Sequence, residues 1–124
     1  MTASLLALVL SIGVAPMPDH LHLEVMARMV AHQYDVDGDL LCCIAQNESE
    51  WNPNAYNQAE GAAGLFQWRE QSWRVAREAM GTDADLALRF DPMENTVTAC
   101  YAMQRGWRWW VNADAACRDC FDNP

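Results

Sequence analysis

The residues best placed to do chemistry lie between Asn47 and Trp68. Glu48 stands in Asn47-Glu48-Ser49-Glu50-Trp51-Asn52-Pro53, and Gly61-Ala62-Ala63-Gly64-Leu65-Phe66-Gln67-Trp68 follows a short polar loop. A carboxyl group works as a general acid near neutral pH only if its surroundings keep the proton on. Two features do so for Glu48. It continues an apolar face made by Leu41, Ile44 and Ala45, so burial penalises the carboxylate. It also falls where a helix must end, because Pro53 disfavours helical backbone at Asn52, and unpaired carbonyls at a helix C-terminus oppose ionisation. Glu50 lies about 200° further around any continuing helix and faces solvent. Position alone does not separate such an acid from an ordinary surface glutamate at a helix end.

The elements that must hold this acid are mostly helical. A stripe of Leu23, Met26, Ala27, Val30 and Tyr34 predicts a first helix with Asp19 as its cap, broken at Asp35 to Gly38. A second helix runs from about Asp39 to Glu48–Glu50. The Asn-, Gly- and Ala-rich stretch from Trp51 to Gln71 has no sustained period and reads as a long loop or a short β-hairpin around Asn57 to Gly64. Ser72 is a candidate cap for a third helix carrying Trp73, Ala76 and Met80 and closed by Gly81. A short helical turn covers Ala84 to Arg89. Asp91-Pro92-Met93-Glu94 has the cap, first-turn proline and acid of a helix start, and that helix carries Val97, Cys100 and Tyr101 to Gly106.

Composition narrows the partners. The chain has 124 residues, 52% of them hydrophobic, enough for one domain with a modest core. Its formal charge is −9, and all 8 basic groups are arginine. Phosphate recognition rests on clustered positive charge, so nucleic acid and anionic lipid are disfavoured as main partners. Leu5 to Val14 is an apolar run too short to span a bilayer comfortably. It suits the core of a signal peptide, yet no Lys or Arg precedes it and Pro16 follows the nearest small-residue site. A processed export signal, a retained apolar arm and an ordinary core segment all stay open. The five cysteines are Cys42, Cys43, Cys100, Cys117 and Cys120. Cys117-x-x-Cys120 is only half a zinc site, so a bridge tying the C-terminal tail, or inert buried thiols, is favoured over a metal. Cys42 and Cys43 read as small core residues.

From Val25 to Gln67 the chain resembles the lysozyme-like soluble lytic transglycosylase (SLT) family. Its helix ending in Glu-Ser, aromatic-Asn-Pro step and Gly-Ala-x-Gly-Leu-aliphatic-Gln segment stand here as Glu48-Ser49, Trp51-Asn52-Pro53 and Gly61-Ala62-Ala63-Gly64-Leu65-Phe66-Gln67, with Phe66 at the aliphatic position. The approach is similar too, through Tyr34-Asp35-Val36-Asp37, Leu40-Leu41 and Ile44-Ala45. The resemblance implies a mainly α, lysozyme-like α+β domain over residues 19–124, with a substrate groove and a short β-hairpin near residues 55–66. Residues 1–18 form a separate apolar segment, the candidate contact to a membrane or virion. Glu48 is implied as the catalytic acid. Ser49 would hydrogen-bond near the acid or the sugar, Gln67 would line the groove, and Gly61 and Gly64 would let the backbone approach an N-acetyl group. Simpler roles stand beside these: Ser49 can cap or turn the chain, and Gly64 can permit an unusual backbone angle.

The C-terminal third departs from the family. The late Ala-Tyr-Asn-Ala-Gly string is missing, and Gly106-Trp107-Arg108-Trp109-Trp110 is similar instead to the Gly-Trp-x-x-Trp ending of small phage and actinobacterial lysozyme-like domains. Tyr101 either lends a phenol to the groove or packs in the core, the latter favoured by its spacing from Val97. Sugar rings stack on indole faces, so one or two of Trp51, Trp68, Trp107, Trp109 and Trp110 are expected at subsites, with Trp68 beside the motif.

Glycoside hydrolysis normally uses two carboxylates. Glu60, Glu70 and Asp91 are the candidates for the second, and none carries a motif. A single-carboxylate route fits the transglycosylase resemblance: cleavage of the MurNAc-GlcNAc β-1,4 bond of peptidoglycan with a 1,6-anhydro product, needing no metal or organic cofactor. The rivals are a lysozyme-type hydrolase and a non-catalytic glycan-binding or structural component. The expected setting is extracytoplasmic or virion-associated; oligomeric state is not legible.

Overall fold

The computed structural model describes residues 20–107 together with Cys117. The apolar run at 5–14, the expected cap Asp19, and Trp109, Trp110 and Cys120 lie outside the described residues. Among the described residues, four α-helices, a two-stranded hairpin and one 3-10 turn follow in order: α1 Leu21–Gln33, α2 Gly38–Ser49, β1 Tyr56–Asn57, β2 Ala62–Ala63, α3 Glu70–Met80, the 3-10 turn Leu86–Phe90, and α4 Pro92–Gln104. This is the mainly helical, lysozyme-like α+β architecture that the sequence predicts.

The helices form where local signals and apolar spacing agree. In α1, Leu23, Ala27 and Val30 are buried at the expected spacing, joined by Ala31. The cap position is held by His20, whose side chain makes no capping bond. Asp35, at φ 55°, lies in the passage between the two helices. Asp37 then caps α2 by accepting from the Asp39 and Leu40 N–H groups at 3.0 and 3.2 Å, one residue earlier than the expected start. Arg28 spans the two helices, donating to Asp39 at 2.7 Å and Glu24 at 3.3 Å. Both acceptors are exposed enough that this pair contributes under about 1 kcal/mol.

The start of α3 corrects the expectation for Ser72. The helix begins at Glu70 with Arg69 at the cap position, and Ser72 lies inside the first turn. The chain leaves the Ala63–Trp68 bridge already extended (Arg69 φ −76°, ψ 158°), so it can enter the helix at once. In α4, Asp91 caps as predicted, accepting from Glu94 N–H at 2.9 Å, with Pro92 at the first position. The hairpin pairs Tyr56 with Ala63 and Asn57 with Ala62, antiparallel, inside the expected window.

The core lies where α1 packs on α2 and α4, and α3 closes onto α4. Leu41, Ile44, Leu65, Phe66, Trp68 and Trp73 are completely buried there. Burying side chains of this size stabilises by about 1.5–3 kcal/mol each. α4 carries buried polar groups among its apolar ones, and two satisfy themselves locally: Thr96 and Thr98 each donate to the carbonyl four residues back at 2.7 Å. Arg77 is also buried, held by Thr98 Oγ1 at 3.1 Å, the Asp83 carbonyl at 2.7 Å and the Glu94 carboxylate at 2.8 Å.

A bridge ties Cys117 to the domain as the sequence leads one to expect, but its partner is Cys43, which was expected in the core. Cys42 is buried in the core, but Cys43 is half-buried and bridges to Cys117, with Cα atoms 5.8 Å apart. Adjacent helical positions point about 100° apart, so the two cannot share one environment. The bridge spans 74 positions and ties the C-terminal part of the chain to α2. Closing a loop of that length stabilises by about 4 kcal/mol in the chain-entropy account.

Candidate active site

Glu48 occupies the last turn of α2, which ends at Ser49. Leu41, Ile44 and Ala45, the residues that share its face, are completely buried. The face runs out of core at the helix end and leaves the Glu48 carboxyl half-buried. Burial pushes its pKa above the ordinary glutamate value, and the negative charge of Glu60 adds to the rise. Among the described residues, no side chain donates a hydrogen bond to it. A carboxyl in this setting is suited to hold a proton and give it up to an incoming oxygen.

The chain turns sharply away behind the acid. Glu50 and Trp51 both take left-handed backbone, at φ 51° and 62°. Such a conformation costs a bulky L-residue on the order of 1–2 kcal/mol, so the surroundings must enforce it. Glu50 N–H returns to the Gln46 carbonyl at 3.1 Å. Trp51 is buried and lies flat on His20, with ring centroids 5.7 Å apart and planes 3° from parallel.

A run of hydrogen bonds then joins the acid's helix to the glycine segment. Asn52 N–H donates to the Ser49 carbonyl at 3.0 Å, and Ala55 N–H to the Asn52 carbonyl at 3.1 Å. The Ala55 carbonyl accepts twice, from Gly64 N–H at 2.9 Å and from Gln67 Nε2 at 3.1 Å. Gln67 Nε2 also donates to the Gly64 carbonyl at 2.9 Å. Three short links therefore separate Ser49 from Gly64 and Gln67, so the two sequence motifs form one local unit.

Two residues missed by the sequence analysis hold the far side of that unit. Asn95, completely buried, accepts from Phe66 N–H at 3.1 Å and donates to the carbonyls of Arg89 at 2.7 Å and Ala63 at 3.3 Å. Arg89 donates to the carbonyls of Gly61 at 2.8 Å, Trp68 at 2.9 Å and Leu86 at 3.0 Å. Burial lowers the Arg89 pKa, and nearby Glu70 opposes the fall. The one available signal was the Asp91-Pro92 helix start, which places Asn95 on the first turn of α4.

This arrangement leaves no room for a side chain at Gly64. Its φ is +83°, and a Cβ there would overlap the Arg89 carbonyl oxygen and the Asn95 amide nitrogen. The close approach it permits is to the start of α4, and its own N–H and C=O are engaged within the loop. Gly61, at φ +65°, has open space around it.

The other expected site residues are placed as follows. Ser49 is buried, and its hydroxyl donates back to the Ala45 carbonyl at 3.1 Å. Gln67 is half-buried at φ 52° beside Gly64. Trp68 is completely buried, edge-on to Trp73 at 5.9 Å, so its faces serve the core and not a sugar. It faces inward because the Ala63–Trp68 bridge folds the segment back over Phe66 and Leu65. Tyr101 donates to the Ala79 carbonyl at 3.2 Å, meets Trp107 edge-on at 5.9 Å and carries the Arg105 guanidinium over its ring at 3.5 Å. That position belongs to the contact of α4 with the end of α3.

Of the three alternative carboxylates, Glu60 is the one whose charge acts on Glu48; it pairs with Arg69 at 3.0 Å. Asp91 is spent as a cap, and Glu70 sits exposed in the first turn of α3. Among the described residues no group of three His, Cys, Asp or Glu side chains could hold a metal ion, and no helix is long and apolar enough to cross a membrane.

A half-desolvated glutamate thus ends α2, and hydrogen bonds through the following turn join its helix to the Gly64–Gln67 corner. The family model of the transglycosylase SLT domain matches residues 26–112, well over half of the chain, and the chain belongs to that family. Membership brings peptidoglycan as the substrate class and transglycosylase or lysozyme-like chemistry in general, in an extracytoplasmic setting. Among curated proteins none matches the chain.

Proposed function

We propose that this protein is a lytic transglycosylase that cleaves the MurNAc-GlcNAc β-1,4 bond of peptidoglycan with Glu48 as its one catalytic carboxyl. The observation that carries the reading is the Glu48 environment: an acid half-buried at the end of an apolar helix face, its proton affinity raised by burial. Protonated Glu48 donates to the bridging oxygen as the C1–O bond breaks. Positive charge at C1 is met by the substrate's own N-acetyl group or by groove dipoles. The Glu48 carboxylate then takes the proton from the C6 hydroxyl of the same muramic sugar, O6 bonds to C1, and a 1,6-anhydro end forms. Protons balance, and Glu48 finishes as it began.

Gln67 lines the groove in this reading: its amide nitrogen holds Ala55 and Gly64, and its carbonyl oxygen accepts from the sugar. Ser49, Gly64 and Trp68 act through the backbone they fix, and Tyr101 through the α3–α4 contact. Residues 1–18 serve export or anchoring.

Glu60 favours one alternative. A second carboxylate close enough to act on Glu48 could orient water and give hydrolysis. Its ion pair with Arg69 is the reason to rank this second. Mass spectrometry of products from purified peptidoglycan separates the two: 1,6-anhydro ends support transglycosylation, and reducing ends support hydrolysis.

A further inference from the structure

Asn47 stands one residue before Glu48, and its side-chain nitrogen is fully occupied. It donates to the Cys43 carbonyl at 2.9 Å and also contacts both sulfurs of the bridge, Cys117 Sγ at 3.3 Å and Cys43 Sγ at 3.5 Å. Cys43 lies one turn back on the same helix, and Cys117, completely buried, comes from 74 positions away. The last turn of a helix has unpaired carbonyls and frays unless something holds it. Here the turn that carries the acid is gripped by a covalent bond and an amide fork, both within five residues of Glu48.

We propose that Asn47 and the Cys43–Cys117 bridge form a clamp that positions Glu48, so that cleavage depends on the oxidation state of that bridge. The inference rests on Glu48 being the catalytic acid. An external dithiol breaks the clamp: it supplies two electrons and two protons, the S–S bond opens to two thiols, and the reductant closes to its own disulfide. Cys42 and Cys100 do not compete as nucleophiles, because burial pushes their pKa values up to about 11 and about 12 and keeps them protonated. Asn47 is a positioning residue. Its loss leaves the core of α1, α2 and α4 intact and loosens only the end of α2.

The test uses the full chain with Cys120→Ser, which removes the cysteine three residues beyond Cys117 from exchange. Turnover on purified peptidoglycan is compared for the oxidised protein, the dithiol-reduced protein and oxidised Asn47→Ala, at a temperature where circular dichroism shows all three folded. Reduction and Asn47→Ala should each lower kcat about 10-fold or more with KM within about twofold, since small misplacements of a catalytic group cost that much. The alkaline limb of the pH profile should also move to lower pH, as a freed Glu48 becomes better solvated. The charged group that bears on Glu48 is Glu60 from the hairpin, itself paired with Arg69, and neither is altered. Equal kcat in the oxidised protein and Asn47→Ala overturns the clamp, even if the reduced form fails to fold. Glu48→Gln runs alongside: if it stays active the acid assignment fails, and if it is inactive while Asn47→Ala is not, the clamp alone fails.

Discussion

Asn95 accepts the Phe66 N–H through Oδ1 at 3.1 Å, although 29 positions separate them. With Arg89 it fixes the backbone of the glycine corner from the side of α4. Truncating Asn95 to Ala leaves the buried Phe66 N–H and Arg89 carbonyl without that partner. The expected cost is about 3 kcal/mol, a Tm drop of about 10–20 °C. Gly64→Ala should cost at least about 3 kcal/mol, because a methyl group meets backbone and the φ is left-handed. Thermal melts check both, and a loss below about 1 kcal/mol for either would contradict the packing described.

Gln67 ties its loop to Ala55, so it should matter to activity more than to folding. Gln67→Ala removes two hydrogen bonds, at about 0.5–1.5 kcal/mol each. We expect kcat/KM on peptidoglycan to fall about 10- to 100-fold. Unchanged kcat/KM would remove Gln67 from the site.

Glu60 raises the Glu48 pKa, and Arg69 partly neutralises Glu60. Activity that needs protonated Glu48 falls as pH climbs through its pKa. Glu60→Gln should therefore move the alkaline limb to lower pH, and Arg69→Ala should move it to higher pH. The pH dependence of kcat checks this; an alkaline limb that stays put in Glu60→Gln would show that the two carboxylates do not interact.

The same shift has a stability consequence of definite sign. With its pKa raised on folding, Glu48 holds more proton in the folded than in the unfolded state. Its contribution is most favourable below the unfolded pKa of about 4.3 and is lost as pH rises through the folded value. Glu48→Gln should thus melt higher than the parent at pH 7, with the gain shrinking towards pH 3. A variant less stable than the parent at pH 7 would contradict the burial argument.

Much of the fold was legible because its signals are local. Pro53 stops α2, Asp91-Pro92-x-Glu94 opens α4, and the stripe Leu23, Ala27, Val30 faces the core as its spacing requires. The half-buried position of Glu48 at the end of α2 was legible from the apolar face that leads to it. The supports of the site were not: Arg89 and Asn95 act on backbone 21 to 32 positions away, and backbone acceptors leave no trace in side-chain patterns. The Cys43–Cys117 pairing is likewise long-range, and Cys43 looked like core because it adjoins Cys42. Trp68 was misplaced for a related reason. A short extended segment has no period by which to tell its inward side from its outward one.

The central claim is that Glu48 is the proton donor. The most direct measurement is release of soluble muropeptides from purified peptidoglycan by Glu48→Gln beside the parent protein, both confirmed folded by circular dichroism. The account predicts a loss of about 1,000-fold or more, as removal of an essential acid requires. A variant that solubilises the wall at the parent rate would contradict it.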